Sequence, residues 1–387
     1  MLPPHRILIS PDKFKGTLTA RQAAEAIARG LRCEFANSEI TILPIADGGE
    51  GTVEALASVQ GSASMHRVPT MDAYGRPRNA DVVVLRDVSV CESASPLGLV
   101  IIEPALRDPW KASSRGLGLL LRDLAARGAK KIFVGLGGSA TNDAGLGLAA
   151  ALGWIFMDES GHPVDPLPVN FAFIQKLVPP EKAFAVEVVG LCDVNNPLLG
   201  ADGASLVYGP QKGLAEPVRM DAEMARIADL VAKQSGLDYR NQPGAGAAGG
   251  LGYGLLTFAC ARLAPGFETI ADLLGISEAI AGSDLVITGE GRIDRQTLFG
   301  KGPAALAKMA ASHAKPVVAF CGQLEAGADE QGLFAEIVPM VDRETSAEVA
   351  VKRATETLEL AAARFAARWI RRHAGVPGSP PAKSTSG

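Results

Sequence analysis

A chain of 387 residues, 47% apolar and 21% charged, has room for two domains with buried cores, which excludes wholesale disorder. Its 38 Lys plus Arg and 42 Asp plus Glu leave a net charge of -4, with no basic excess to neutralise a nucleic-acid backbone. Five scattered cysteines without a C-x-x-C pair argue against a disulfide framework or a thiolate zinc site, and fit a reducing cytoplasm.

In chain order, residues 5–10 (HRILIS) read as a strand. Three apolar residues, Ile7 to Ile9, are too few for a signal peptide. A helix follows over 19–32, begun by Thr19, with Ala23, Ile27 and Leu31 on one face. Residues 40–45 form a strand and 52–59 a helix. Short strands crowd residues 71–100 (RNADVVVL, DVSVCE), a spacing that predicts antiparallel pairing. LVIIE (99–103) reads as another strand, 116–128 as a helix, 130–136 as a strand, 145–154 as a helix and 186–191 as a strand. Residues 158–182 are Pro-rich and irregular. Near the end, strands 284–290, 315–321 and 336–341 are separated by helices such as 301–314. No window approaches the ~20 apolar residues of a membrane span. Strands alternating with helices of this length predict an α/β fold with parallel sheet. The pattern further predicts one α/β domain built from both ends of the chain, 1–70 plus 281–374, and a second domain inserted over 71–280. The small, polar, Pro-rich tail 375–387 reads as disordered.

Apolar strands repeatedly run into an acidic residue beside glycine or a turn. The segments are Pro11-Asp12, then Asp47-Gly48-Gly49-Glu50-Gly51, then Asp193-Val194-Asn195-Asn196, then Gly289-Glu290-Gly291-Arg292-Ile293-Asp294. Ligands of open parallel sheets bind beyond the carboxyl ends of strands, and carboxylates there suit a magnesium ion or a hydroxyl proton. Any one of them also suits a helix N-cap.

A second constellation runs from Gly135 through Gly137, Gly138, Ser139, Thr141, Asn142 and Asp143 to Gly145. Converging backbone N–H groups, two hydroxyls and a helix start are what a nucleotide phosphate needs. The same stretch formally satisfies the dinucleotide pattern G-x-G-x-x-A, with Asp158 or Glu159 further on. In a chain with 43 glycines, tight turns and close packing explain such runs equally, as they do for Gly244 to Gly249. Lys13, Lys15, Arg107, Arg115, Arg292 and Lys301 are candidate clamps for a small acid or a phosphate. The five histidines all lie outside the glycine-rich loops, which leaves acid–base work to carboxylates and favours phosphoryl transfer.

The ordered segments ISPDKFKGTLTA (9–20), PIADGGEGTVEAL (44–56), GLGGSATNDAGLG (135–147), CDVNNPLLG (192–200), GPQKG (209–213), PGAGAAGGLGYGL (243–255) and LVITGEGRIDRQTLFGKGP (285–303) resemble the bacterial glycerate kinase type I family. The resemblance implies ATP-dependent phosphorylation of D-glycerate with magnesium, to 2-phosphoglycerate or alternatively 3-phosphoglycerate. It also implies two α/β domains, the one made of both termini being flavodoxin-like. By motif position, Asp193 is the expected base, with Lys15 as a second catalytic residue. Asp47, Gly48, Gly49, Arg115 and Arg292 are expected at the substrate. Asp47, Glu50 and Asp294 are expected at Mg²⁺, and Gly137, Gly138, Ser139, Thr141, Asn142 and Asp143 at ATP. Two departures stand out: Ala144 replaces a family glycine, and Gly116-Leu117-Gly118-Leu119 replaces G-T-G-E. The rivals are an NAD-dependent oxidoreductase and a glycerate-binding sensor. Neither nucleic acid nor membrane is an expected partner, and a homodimer remains open.

Overall fold

The computed structural model describes residues 3–46, 48–57, 59, 63–294, 302–325, 327–328, 332–341 and 345–374. Asp47, Arg295, Lys301 and the tail 375–387 lie outside the described residues. By backbone contacts the chain divides into one unit of residues 1–45 and 274–387 and another of residues 46–273.

The chain opens in the first unit with β1 (Arg6–Ile9) and β2 (Glu39–Ile42). It then builds the second unit from β3 (Ala63–Met71), β4 (Pro77–Leu85), β5 (Val88–Glu92), β6 (Lys131–Gly135), β7 (Ile155–Met157), β8 (Lys176–Val178), β9 (Glu187–Leu191) and β10 (Arg262–Ala264). It returns to the first unit with β11 (Leu285–Ile293), β12 (Val317–Leu324) and β13 (Glu336–Pro339).

The first unit is a parallel sheet ordered β13-β12-β11-β1-β2. Numbered within the unit this is the flavodoxin-like order, whose direction reverses between β1 and β11. Ile7, Leu8 and Ile9 are all buried, as a strand covered on both faces requires. The helix Ala20–Arg32 begins in a capping box: the Thr19 hydroxyl accepts from the Gln22 N–H at 3.2 Å, and the Gln22 side chain accepts from the Thr19 N–H at 3.0 Å. Its Ala23, Ile27 and Leu31 face the core.

The second unit carries a mixed sheet ordered β10-β9-β6-β5-β4-β3, parallel from β10 to β5 and antiparallel from β5 to β3. A separate antiparallel pair, β7 and β8, spans the Pro-rich stretch. Apolar residues of β5, β6 and β9 and of the helix Arg115–Ala126 form the core on one face.

Three features differ from the sequence expectation. The division falls at 45/46 and 273/274, not near 70 and 280, because β3 pairs along its whole length with β4 and so belongs to the second sheet. Residues 99–103 are not a strand: Leu99–Ile101 is a 3₁₀ turn, tied by the Leu99 N–H to the Gly138 carbonyl at 2.7 Å and by Arg107 to the Leu99 carbonyl at 3.1 Å. Glu290, Gly291 and Arg292 do not lie in a loop beyond their strand, since β11 stays paired with β12 as far as Ile293.

Candidate active site

The second sheet ends in a level row. Glu92 pairs with Gly135, Gly135 with Leu191, and Leu191 with Ala264, so four parallel strands present their carboxyl ends side by side. The Gly48–Gly51 segment lies directly on this row. A Cβ at Gly135 would fall 2.1 Å from the Gly48 carbonyl oxygen, and a Cβ at Gly48 would fall 2.8 Å from Leu191 Cβ. Only residues without side chains permit this approach, which is the physical content of the two glycine motifs.

Glu92 anchors the segment. Its Oε1 accepts from the Gly51 N–H at 3.1 Å and the Val53 N–H at 2.7 Å, satisfying the start of the helix Thr52–Ala57. Glu50 is exposed, and its Oε2 lies 3.9 Å from where a Cβ of Gly138 would sit. Gly49 packs against Gly137. Asp193, also exposed, follows β9, and its Oδ1 accepts from the Gly266 N–H at 2.7 Å at the start of the helix Gly266–Leu274. Gly266 in turn abuts Gly48. Gly48, Gly49, Glu50, Gly137, Gly138 and Asp193 therefore meet at one end of one sheet.

The rest of the glycine loop turns inward. Ser139, Thr141, Asn142 and Asp143 are buried. The Ser139 hydroxyl donates to the Ala248 carbonyl at 2.8 Å, and the Asn142 amide donates to Ser205 Oγ at 3.0 Å. The Asp143 carboxylate accepts from the Ser114 N–H and hydroxyl at 2.7 and 2.8 Å, and from the Gly145 and Gly147 N–H groups at 3.2 and 3.1 Å. Burial pushes its pKa up, while these hydrogen bonds pull it down. The helix Leu146–Ala151 thus begins on Asp143, leaving Gly137 and Gly138 as the accessible part of the loop. The dinucleotide pattern needs the helix to open at its last small residue, Ala140, and here it opens six residues later. The NAD-dependent rival loses its geometry.

Lys212 is the residue that the motif reading passes over. It is 3% exposed, and its ammonium donates to the Thr141 carbonyl at 2.7 Å and reaches Ser139 Oγ at 3.5 Å. Burial pushes it down to about 7, with the Asp143 charge pulling the other way. GPQKG is one of the family segments, but nothing in its spacing marks the lysine as buried. Glu92 carries the same sequence signal as the others, an acid ending an apolar strand. The second glycine run, 244–249, has a packing role: a Cβ at Gly246 would meet the Pro197 carbonyl at 2.2 Å.

The remaining expected residues belong to other elements. Arg115 opens the helix Arg115–Ala126 and pairs with Asp165 at 2.9 Å. In the first unit, Lys15 is exposed and its backbone packs on Gly291, while Arg292 bridges Asp294 at 3.7 Å and Glu325 at 3.0 Å. Among the described residues no three His, Cys, Asp or Glu side chains gather as a metal cage. Of the expected set, Asp47 lies outside the described residues, Glu50 belongs to the second unit and Asp294 to the first. Glu50 alone still fits Mg²⁺, which takes one or two carboxylates and completes its shell with phosphate and water. No helix among the described residues is long and apolar enough to cross a membrane.

The glycerate kinase family pattern matches residues 7–370. The chain belongs to the glycerate kinase family. It is 37% identical over 375 residues to a glycerate kinase of Halalkalibacterium halodurans, covering 93% of this chain and 97% of that one. It is 39% identical over 328 residues to a glycerate 2-kinase of Escherichia coli, covering 82% and 85%. A solved structure assigned as a glycerate kinase 2 from Salmonella typhimurium LT2 superposes with a TM-score of 0.84 at 35% identity, over 96% of this chain and all of that one. Membership of the glycerate kinase family makes the protein an enzyme, a phosphotransferase with an alcohol group as acceptor. It also disposes of the sensor reading.

Proposed function

We propose that the enzyme transfers the γ-phosphoryl group of ATP to a hydroxyl of D-glycerate, giving 2-phosphoglycerate. The observation that carries this is the stack at the ends of β5, β6 and β9, where Glu50 lies over the exposed Gly138 and beside the half-buried Gly137. Phosphoryl transfer asks mainly for positioning and charge neutralisation, and this stack offers backbone, carboxylate and little else.

Asp193 takes the hydroxyl proton as the glycerate oxygen bonds to the γ-phosphorus and the bond from that phosphorus to the β,γ-bridging oxygen breaks, releasing ADP; its carboxylate is oriented by the Gly266 N–H. The backbone at Gly137 and Gly138 receives the nucleotide phosphates. Ser139, Thr141, Asn142 and Asp143 support that backbone from beneath through buried hydrogen bonds, with Lys212 under the Thr141 carbonyl. Glu50 would give a carboxylate to Mg²⁺, which supplies neutralisation of phosphate charge when bound. The Gly48-Gly49 backbone serves the glycerate carboxylate and hydroxyls. Cytoplasmic placement is supported by five free cysteines.

The test is a coupled ADP-release assay over small hydroxy acids, with the product resolved by ³¹P NMR. D-glycerate is expected to give the highest kcat/KM, with phosphorus on the 2-hydroxyl. Equal rates with water and glycerate, or a 3-phosphate product alone, would reject the respective part.

A further inference from the structure

We propose that the second unit holds a second binding site, for a small monocarboxylate with an apolar body, at the opposite end of the sheet from Glu50 and Asp193. β5 links the two ends: Glu92, its last residue, anchors the Gly48–Gly51 segment, while Ser89, near its start, lines a cavity of about 330 Å³.

The cavity has a built interior. Ser89 is 3% exposed, pairs with Val84 and Ile132 inside the sheet, and has no protein partner for its hydroxyl among the described residues. A polar side chain in an otherwise Val-rich strand, lining a cavity, offers a hydrogen-bonding group to a ligand there. Val68, Val84 and Leu124 supply apolar walls. A volume near the lower end of ligand pockets restricts the occupant to a small molecule.

The rim supplies the charge. Arg86 and Asp87 make the two-residue turn between β4 and β5, and Arg86 has φ 58. Turn chemistry selects Asn, Asp or Gly at such a position, so an arginine there is not explained by the turn. Arg86 is exposed and forms no ion pair among the described residues. Arg127, beyond the helix Arg115–Ala126, pairs through its Nε with Asp123 and lines the same cavity. Asp87 and His66 complete the rim, and His66 is engaged with Ser64 Oγ at 2.9 Å. One unpaired arginine and one half-paired arginine over apolar walls suit a carboxylate whose body fills the groove, with Ser89 taking a second polar atom. Glycerate lacks that apolar body, and the site is independent of the phosphoryl-transfer reading.

The experiment is isothermal titration of the full chain with benzoate and with hexanoate, against uncharged benzamide, in wild type, Arg86→Glu and Ser89→Val. One carboxylate is expected to bind with a stoichiometry of one, more tightly than benzamide. Arg86→Glu is expected to weaken it by about tenfold or more through loss of a charge-assisted bond, and Ser89→Val to weaken it less. Unchanged glycerate turnover in both variants shows that they are folded. Absence of saturable binding by both carboxylates, or binding that survives Arg86→Glu, overturns the proposal.

Discussion

The Lys212 ammonium donates to the Thr141 carbonyl at 2.7 Å, so a buried cation holds the underside of the loop whose upper side exposes Gly138 and half-exposes Gly137. In the fold, burial pushes this lysine down to about 7 from the ordinary 10.5 it keeps when unfolded. Across that window the unfolded chain holds the proton more tightly, so this group makes stability rise with pH from about 7 toward 10.5. Lys212→Met is expected to flatten that slope, read from urea midpoints at several pH values. Losing a charged hydrogen bond is also expected to raise the nucleotide KM by about tenfold or more. A variant with the wild-type slope and KM would remove Lys212 from this role.

Gly249 marks how tightly that underside is packed. Its φ is +77, and a Cβ there would lie 1.9 Å from the Thr141 carbonyl oxygen and 2.7 Å from the Lys212 ammonium. Gly249→Ala combines left-handed strain with a backbone clash and is expected to cost about 3 kcal/mol or more. Chemical denaturation measures this directly; an unchanged midpoint would contradict the packing described.

Asp193 separates capping from catalysis. Asparagine retains an oxygen to accept from the Gly266 N–H but cannot take a proton, so Asp193→Asn is expected to cut kcat by ~10²–10⁴-fold with stability nearly unchanged. Asp193→Ala is expected to lose the cap as well, about 1 kcal/mol. Near-normal turnover in the asparagine variant would make Asp193 a helix cap only.

Chelation by EDTA is expected to abolish turnover, and Mg²⁺ to restore it. Glu50→Gln is expected to raise the Mg²⁺ concentration for half-maximal rate by about tenfold while leaving the urea midpoint within ~0.5 kcal/mol, because Glu50 is exposed. An unaltered Mg²⁺ dependence would exclude Glu50 as a ligand.

Much of the architecture is legible in one dimension. β1, the Thr19-capped helix, β6 and β9 stand within a residue or two of the runs that announce them, because a parallel strand buried on both faces must be continuously apolar. β3 escapes notice since most of its residues are exposed at a sheet edge and carry no apolar period. The run 99–103 misleads for the opposite reason: it has a strand's composition, but Gly138 and Arg107 occupy the backbone groups that a neighbouring strand would need.

The candidate site divides in the same way. Acid-glycine segments after strands are visible in the primary order because backbone can approach backbone only where side chains are missing. Whether a polar residue in such a segment faces solvent or core depends on partners far away in the chain. Asn142 meets Ser205, Asp143 meets Ser114, and Lys212 meets Thr141, none at a spacing that local pattern reports. Residue types and their order thus decided the fold class, the family and the chemistry on offer, through local propensity and burial. Long-range hydrogen bonding and desolvation, which exist only once strands are paired, decided which of those residues face a ligand and which hold the loop from below.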